Sequence, residues 1–386
     1  MIEIKEKSMC AGCGACAMSC PKNCISMEAD SEGFLYPRVN KDSCINCGIC
    51  ERVCPFLNPS ETKVLKAYGF NALDDEIRRE SSSGGAFSAF SQYILDRGGV
   101  VFGVELSNDC RHAEFTAVTD KNELYRLRKS KYMQADTGDS FKQALKYLNE
   151  GREVLFTGTP CQINGLKKFL NKDFENLICA DIVCHGAQSE KLWNRYVDYM
   201  NEKPDGKISS VNFRCKKNGW KQYGIDITKE NNSTVLEERA KNPYISMFLD
   251  DYCLRPSCYD CKAKGNNLSD ITMGDFWGID NVLPEMNDDK GSSLIIVRTD
   301  KGRRLLEAVE NNALIKETEY EKAVSYNPAE FKSVERPQKR QNFYKDLDNE
   351  SFERMIKLYA TEPLKERIKD NLRKTALWQG IRKLRK

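Results

Sequence analysis

The chain reads as a multidomain α+β and α/β protein, with a small cysteine-bound unit first and a larger mixed α/β domain after it. Three observations predict this. Two four-cysteine runs of matching spacing lie before residue 55. Two strand–turn–helix units follow one another between residues 153 and 200, and shorter alternating stretches take over from about residue 209.

The runs are Cys10-x2-Cys13-x2-Cys16-x3-Cys20-Pro21 and Cys44-x2-Cys47-x2-Cys50-x3-Cys54-Pro55. This is the spacing of bacterial ferredoxins with two [4Fe–4S] clusters, in which the fourth cysteine of each run serves the other cluster. Three thiolates two residues apart let one tight loop wrap three irons. The fourth, after a longer step, points toward the other cube. The expected sets are Cys10, Cys13, Cys16 and Cys54 for one cluster, and Cys44, Cys47, Cys50 and Cys20 for the other. Zinc sites use ligands in two pairs, which two matching runs closed by proline do not resemble.

A length of 386 residues suggests two or three domains. The formal charge of +3 is near neutral and points to no nucleic-acid partner. No export-type segment is visible, nor any stretch of the ~18 apolar residues that a membrane span needs. A cytoplasmic protein is the expectation, and there 17 cysteines mean metal or redox chemistry, not a disulfide framework.

Pro55, Asn58, Pro59 and Ser60 form a linker, and residues 64–70 (VLKAYGF) open a new domain as a strand. Ser81, Ser82, Ser83, Gly84 and Gly85 then run into a helix marked by Ala86, Phe90 and Ile94 and stopped by Gly98 and Gly99. A small, glycine-rich loop at a helix N-terminus can cradle an anion; it can equally be an ordinary serine-rich helix entry. Residues 100–106 form a strand. Arg126, Arg128, Lys129 and Lys131, followed by Tyr132, could hold a phosphate and stack a flat ring, or form a solvated charged face. Phe141, Ala144, Leu145 and Leu148 mark a helix ended by Gly151.

Residues 153–157 (EVLFT) form a buried strand that turns at Gly158 and Thr159 into a helix, with Pro160 first and Ile163, Leu166 and Leu170 on its apolar face. Residues 177–183 (LICADIV) repeat the pattern, ending at Cys184, His185 and Gly186 before a helix capped by Ser189. Two such units imply parallel strands. Cys161 and Cys184 would then stand past the carboxyl ends of neighbouring strands, the edge where open α/β sheets bind ligands. Cys161 also lies in a helix's first turn, which favours its thiolate. Shorter strands follow at 211–214, 223–228 and 234–236, then a helix from Asn242, strands at 268–273 and 294–299, and a helix at 301–311. Residues 364–386 carry nine Lys or Arg against two acids and read as a basic amphipathic helix. It would pack on its own domain, or meet a partner or an anionic membrane surface.

Of the cysteines outside the runs, Cys24 reads as core filler, while Cys110, Cys179 and Cys215 lack a partner at ligand spacing. Cys258 and Cys261 could join Cys161 and Cys184 around a third [4Fe–4S] cluster. They could instead join Cys215 and Cys253 in a structural zinc site.

Residues 81–86 (SSSGGA), 130–132 (SKY), 158–166 (GTPCQINGL), 183–186 (VCHG), 258–261 and 269–278 (SDITMGDFWG) come in the order of one family. The chain resembles the beta subunits of coenzyme F-420 hydrogenases and dehydrogenases, in the form that begins with a dicluster ferredoxin domain. The resemblance covers about residues 1–315 and implies domains at 1–60 (ferredoxin-type), 64–150 (flavin loop) and 151–315 (third cluster), which leaves 316–386 as a basic helical extension. It implies Cys161, Cys184, Cys258 and Cys261 as third-cluster ligands. It also implies FAD held by Ser82, Ser83, Gly84, Gly85, Ser130, Lys131 and Tyr132, with Gly158 and Thr159 in the cofactor-binding set. Lys129 stands where many members have glycine. The function implied is an iron–sulfur flavoprotein oxidoreductase that passes electrons between clusters, FAD and a small molecule such as coenzyme F-420. The partner implied is an electron-donor or acceptor protein or enzyme subunit. Lys131 and His185 are candidates for catalytic roles. The alternative is an electron-transfer adaptor with no substrate of its own.

Overall fold

The computed structural model describes residues 1–60 and 62–360. The basic stretch 364–386, with the docking and membrane roles considered for it, lies outside the described residues.

The N-terminal unit is one motif built twice. Each run kinks through two left-handed residues, Gly12 (φ 69°) and Gly14 (φ 73°) in the first, Asn46 (φ 52°) and Gly48 (φ 72°) in the second. Glycine has no Cβ to oppose that conformation, and asparagine is among the few other residues that tolerate it. Each run then enters a one-turn helix, α1 (Ala15–Met18) or α2 (Ile49–Arg52). Between them lies an antiparallel hairpin, β1 (Ile25–Ala29) and β2 (Leu35–Val39), which the sequence pattern did not suggest.

The remaining strands are β3 (Lys66–Ala72), β4 (Val100–Leu106), β5 (Ala113–Val118), β6 (Val154–Gly158), β7 (Leu177–Ile182), β8 (Ile208–Cys215), β9 (Gly224–Lys229), β10 (Thr234–Glu238), β11 (Ile271–Asp275), β12 (Ser293–Val297) and β13 (Ala313–Thr318). The remaining helices are α3 (Asp75–Arg79), α4 (Ala86–Asp96), α5 (Ser140–Asn149), α6 (Pro160–Leu170), α7 (Glu190–Asn201), α8 (Pro243–Leu249), α9 (Ile279–Val282), α10 (Asp300–Ala308), α11 (Tyr320–Val324), α12 (Arg340–Asn349) and α13 (Phe352–Tyr359). Eight strands form one sheet in the order β13-β3-β12-β11-β7-β6-β4-β5, and β8–β10 form a separate antiparallel sheet. The central run β11-β7-β6-β4 is parallel, and the outer strands are added antiparallel. Val154, Leu155 and Phe156 of β6 are fully buried, as expected where both faces of a parallel strand are covered.

One face of the sheet packs Phe90 and Ile94 of α4 and Leu305 of α10 against Phe70, Leu155 and Ile295. The other packs Phe141 of α5 and Ile163 and Leu166 of α6 against Phe102, Phe156 and Cys179, and here Ala15, Met18 and Val53 of the N-terminal unit join the same cluster. A third core gathers Trp193 and Tyr196 of α7, Tyr244 of α8, Phe343 of α12 and Met355 of α13 beside the small sheet. Arg340, buried, clasps Glu32 of the hairpin turn through both terminal nitrogens at 2.9 and 2.6 Å, so the N-terminal unit is fastened at two places. Among the described residues no helix is long and apolar enough to cross a membrane.

Candidate metal centres and cofactor site

The paired kinks turn each loop's amides inward, and Gly12 N–H donates to Cys10 Sγ at 3.4 Å. Cys20, Cys44, Cys47 and Cys50 line one pocket with Met1, Ile25 and Val39. Cys16 lies within electrostatic reach of Cys10 and Cys54, and Cys13 of Cys10 and Cys16. Three cysteines of each run thus meet the fourth of the other. Cys24, expected as core filler, is buried, yet it lines the same pocket with its Sγ 3.3 Å from that of Cys20. Burial pushes the Cys16 thiol up to about 12 and Cys13 well above the ordinary thiol range. Thiolates crowded in so little water need cations among them, and the soft donor set suits iron–sulfur chemistry. Among the described residues no group of three or more His, Cys, Asp or Glu side chains is closed around a single metal ion.

The sheet edge collects a second group. Cys161 opens α6, whose entry is fixed by a capping box between Thr159 and Gln162. Thr159 Oγ1 lies 3.2 Å from Cys161 Sγ, and Gly158 precedes it at the end of β6. Cys184 follows β7 and lies within electrostatic reach of Cys161, Cys258 and Cys261. Ala187 N–H points at Cys258 Sγ (3.4 Å), and Lys264 Nζ donates to the Cys184 carbonyl (2.7 Å). Burial raises the Cys161 thiol to about 12 and the Cys258 thiol to about 11. Of the other two cysteines of the zinc alternative, Cys215 donates to Asp226 in the small sheet, while Cys253 donates to Gln188 and Met247 and lies within electrostatic reach of Cys258. His185 pairs through Nε2 with Asp251 at 2.6 Å.

The two groups meet at α6. A Cβ placed on Gly165, one turn beyond Cys161, would lie 2.9 Å from Cys13 Sγ, and Cys13 and Cys161 are within electrostatic reach of each other. Arg255, three residues before Cys258, donates to the Cys10 carbonyl from Nε at 2.7 Å. Its Nη2 lies 3.6 Å from Cys10 Sγ. Sequence reasoning missed it; its place beside the Cys258 turn was the available signal.

The serine–glycine loop, at the entry to α4, is drawn against Ser130. Ser82 Oγ accepts the Ser130 N–H at 3.0 Å and lies 3.1 Å from its hydroxyl. Ser83 donates to the Ser292 carbonyl, and Gly84 N–H to Ser293 Oγ. A Cβ on Gly84 would come within 2.2 Å of the Phe70 carbonyl, so only glycine lets the loop lie this close to β3. Gly85 (φ 94°) leads into α4, whose first turn has no side-chain cap and therefore keeps amides for an anion. Lys131 turns Nζ onto the carbonyls of Arg126 (3.0 Å) and Arg128 (2.7 Å), and burial lowers its ammonium to about 7. Tyr132 packs against Phe248, with ring centres 5.0 Å apart, and its hydroxyl neighbours Arg214. Arg214, also missed, grips Asp275 of the GDFWG stretch through both terminal nitrogens at 2.9 Å. Lys129 adopts φ 69°, the conformation that favours glycine, and pairs with Glu80 at 3.0 Å.

Residues 9–58 match the 4Fe-4S dicluster domain, 67–141 the N-terminal part of the coenzyme F420 hydrogenase/dehydrogenase beta subunit, and 151–323 its C-terminal part. The "Coenzyme F420-dependent sulfite reductase" of Methanocaldococcus jannaschii is 23% identical over 350 residues, which are 89% of this chain and 52% of that protein. This chain thus spans about half of that relative's length. A component of the F(420)H(2) dehydrogenase of Methanosarcina mazei is 23% identical over 330 residues, 82% of this chain and 86% of that one. A chain of the F420-reducing [NiFe] hydrogenase complex from Methanosarcina barkeri aligns with a TM-score of 0.48 at 16% identity, over 78% of this chain and 93% of that one. With both parts of the family represented on one continuous sheet and the cysteine-rich domain seated on its α6 side, the chain belongs to the family of coenzyme F420 hydrogenase/dehydrogenase beta subunits, in a form with an N-terminal 4Fe-4S dicluster domain.

Proposed function

We propose that this chain is a cytoplasmic iron–sulfur flavoprotein oxidoreductase that exchanges electrons with a partner protein and reduces or oxidises a small molecule, coenzyme F420 or another. In this reading Cys161, Cys184, Cys258 and Cys261 hold a third cluster. FAD lies along Ser82, Ser83, Gly84, Gly85, Ser130, Lys131 and Tyr132, near Gly158 and Thr159, and the domains divide at 1–60, 64–150, 151–315 and 316–386. One observation carries it: Cys13 is packed against α6 within a turn of Cys161. That contact joins the two thiol groups through the protein interior. When bound, clusters carry single electrons and a flavin exchanges them for a pair delivered as hydride.

The chain's own residues supply position and charge. Cys47 is exposed and Ile45 beside it is 57% exposed, which gives the second run an outward face for a protein partner. The uncapped first turn of α4 offers amides to a phosphate. Lys131 braces its loop through two carbonyls, and an anion nearby would hold it as the cation. A second reading, an electron-transfer adaptor for a partner enzyme, is favoured by the likeness, over most of both chains, to a subunit of the F(420)H(2) dehydrogenase of Methanosarcina mazei.

Iron and flavin counts on anaerobically purified protein test the proposal: about twelve irons and one FAD per chain are expected. About eight irons and no flavin would overturn it. Turnover of reduced coenzyme F420 with an artificial acceptor separates the two functions, since an adaptor shows none until its partner is added.

A further inference from the structure

Arg255 is 1% exposed, and among the described residues no carboxylate forms an ion pair with it. Its donors go to the Cys10 carbonyl, Gln134 Oε1 (2.9 Å), the Leu35 carbonyl (2.9 Å) and Cys10 Sγ. Its guanidinium lies over the Tyr36 ring, 4.2 Å from the centroid. All of these partners are uncharged, save the Cys10 sulfur when it ligates a cluster. Burying a cation without a counter-ion is strongly unfavourable, so such groups are normally paired. Its main chain reaches the other thiol group, because Cys258 N–H donates to the Arg255 carbonyl at 2.8 Å.

We propose that Arg255 is the fixed counter-charge at the junction of the two thiol groups, raising the reduction potential of the cluster held by Cys10, Cys13, Cys16 and Cys54. This rests on the iron–sulfur reading above. A reduced cluster carries one more negative charge than the oxidised one, so a fixed cation nearby stabilises the reduced form. The guanidinium cannot lose its proton, and the fork of contacts prevents it from turning away. Gln134 completes the device: its Nε2 donates to the Ala11 carbonyl at 2.9 Å while its Oε1 receives Arg255. It therefore locks the guanidinium to the first run's backbone.

The test is an anaerobic redox titration followed by electron paramagnetic resonance, with iron counted in each sample. Arg255→Gln removes the charge. Gln134→Glu keeps the arginine and places a carboxylate against it. Both should make one cluster harder to reduce by about tenfold in its reduction equilibrium, a fall of 59 mV for a one-electron couple. Gln134→Glu decides the matter if Arg255→Gln fails to hold its clusters. Unmoved potentials at full iron content would overturn the role given to Arg255 and leave the cluster reading intact. Wild-type protein without clusters on the two N-terminal cysteine runs would overturn the cluster reading itself.

Discussion

Gly84 and Lys129 border one loop and exchange the usual habits of their residue types. A Cβ at 84 would meet the Phe70 carbonyl at 2.2 Å and the Ser293 amide nitrogen at 2.6 Å, and both belong to sheet backbone. Gly84→Ala should therefore cost about 3 kcal/mol or more, the upper end for overpacking. Lys129→Gly relieves a left-handed residue, a gain of about 1–2 kcal/mol. That is offset by greater unfolded-chain freedom and a half-exposed ion pair, each about 1 kcal/mol or less. The variant should stay within about 1 kcal/mol of wild type. Urea denaturation reads both, and equal stability of Gly84→Ala and wild type would show that the loop does not lie on β3. Asp181 permits a pH prediction. Fully buried, its carboxyl rises to about 7, first through desolvation, although Thr272 and Asn267 donate to it at 2.5 and 3.0 Å. Between about 4 and 7 the folded chain holds this proton more tightly than the unfolded chain. Its contribution to stability therefore falls as pH rises through that window and levels off above it. Asp181→Asn should remove this slope in urea midpoints measured from pH 4 to 8. A slope unchanged in the variant would mean the group is ionised in the fold.

At the scale of elements, α6 is the part of the site most legible in the sequence and most constrained in space. The Thr159 cap, Pro160 and the Ile163–Leu166–Leu170 stripe all describe the helix that forms. The parallel neighbours β6 and β7, the three antiparallel strands and the entry of α8 were equally readable, because their periodicity and turn residues are local. The edge strands β5 and β13 were not: they are half exposed and show no clear apolar run. The β1–β2 hairpin was hidden between cysteine runs that drew attention to ligand spacing. Arg255 and Arg214 escaped because what makes them unusual is burial and partners far along the chain, which no short pattern encodes. Gly165 shows the same limit. Alanine there would favour a helix by about 1 kcal/mol, but its Cβ would stand 2.9–3.0 Å from Cys13 Sγ and Cβ. Gly165→Ala is expected to lower the melting temperature of the reconstituted protein and its iron content together. A higher melting temperature at full iron content would place Cys13 away from α6.

For the whole molecule, the two four-cysteine runs (the cysteine ladder) and the Ser82 loop rest on different helices of the main sheet. The cysteine ladder packs with α5 and α6 on one face, whereas the Ser82 loop leads into α4, which packs with α10 on the other. Ser82 and Ser83 hydrogen-bond with Ser130, Ser292 and Lys216, and none of these belongs to the N-terminal unit. Loss of a ladder ligand should therefore disturb electron supply and leave the Ser82 loop intact. Cys13→Ser, which removes the thiol nearest α6, is expected to keep about one FAD per chain. Flavin reduction by a one-electron protein donor should slow at least tenfold, while direct photoreduction of the flavin is unchanged. Cys47→Ser, at the exposed end, should slow the protein donor in the same way without altering the packing around Cys161. If Cys13→Ser loses its flavin, ladder and loop form one cooperative unit, and the proposed division of labour between them does not hold.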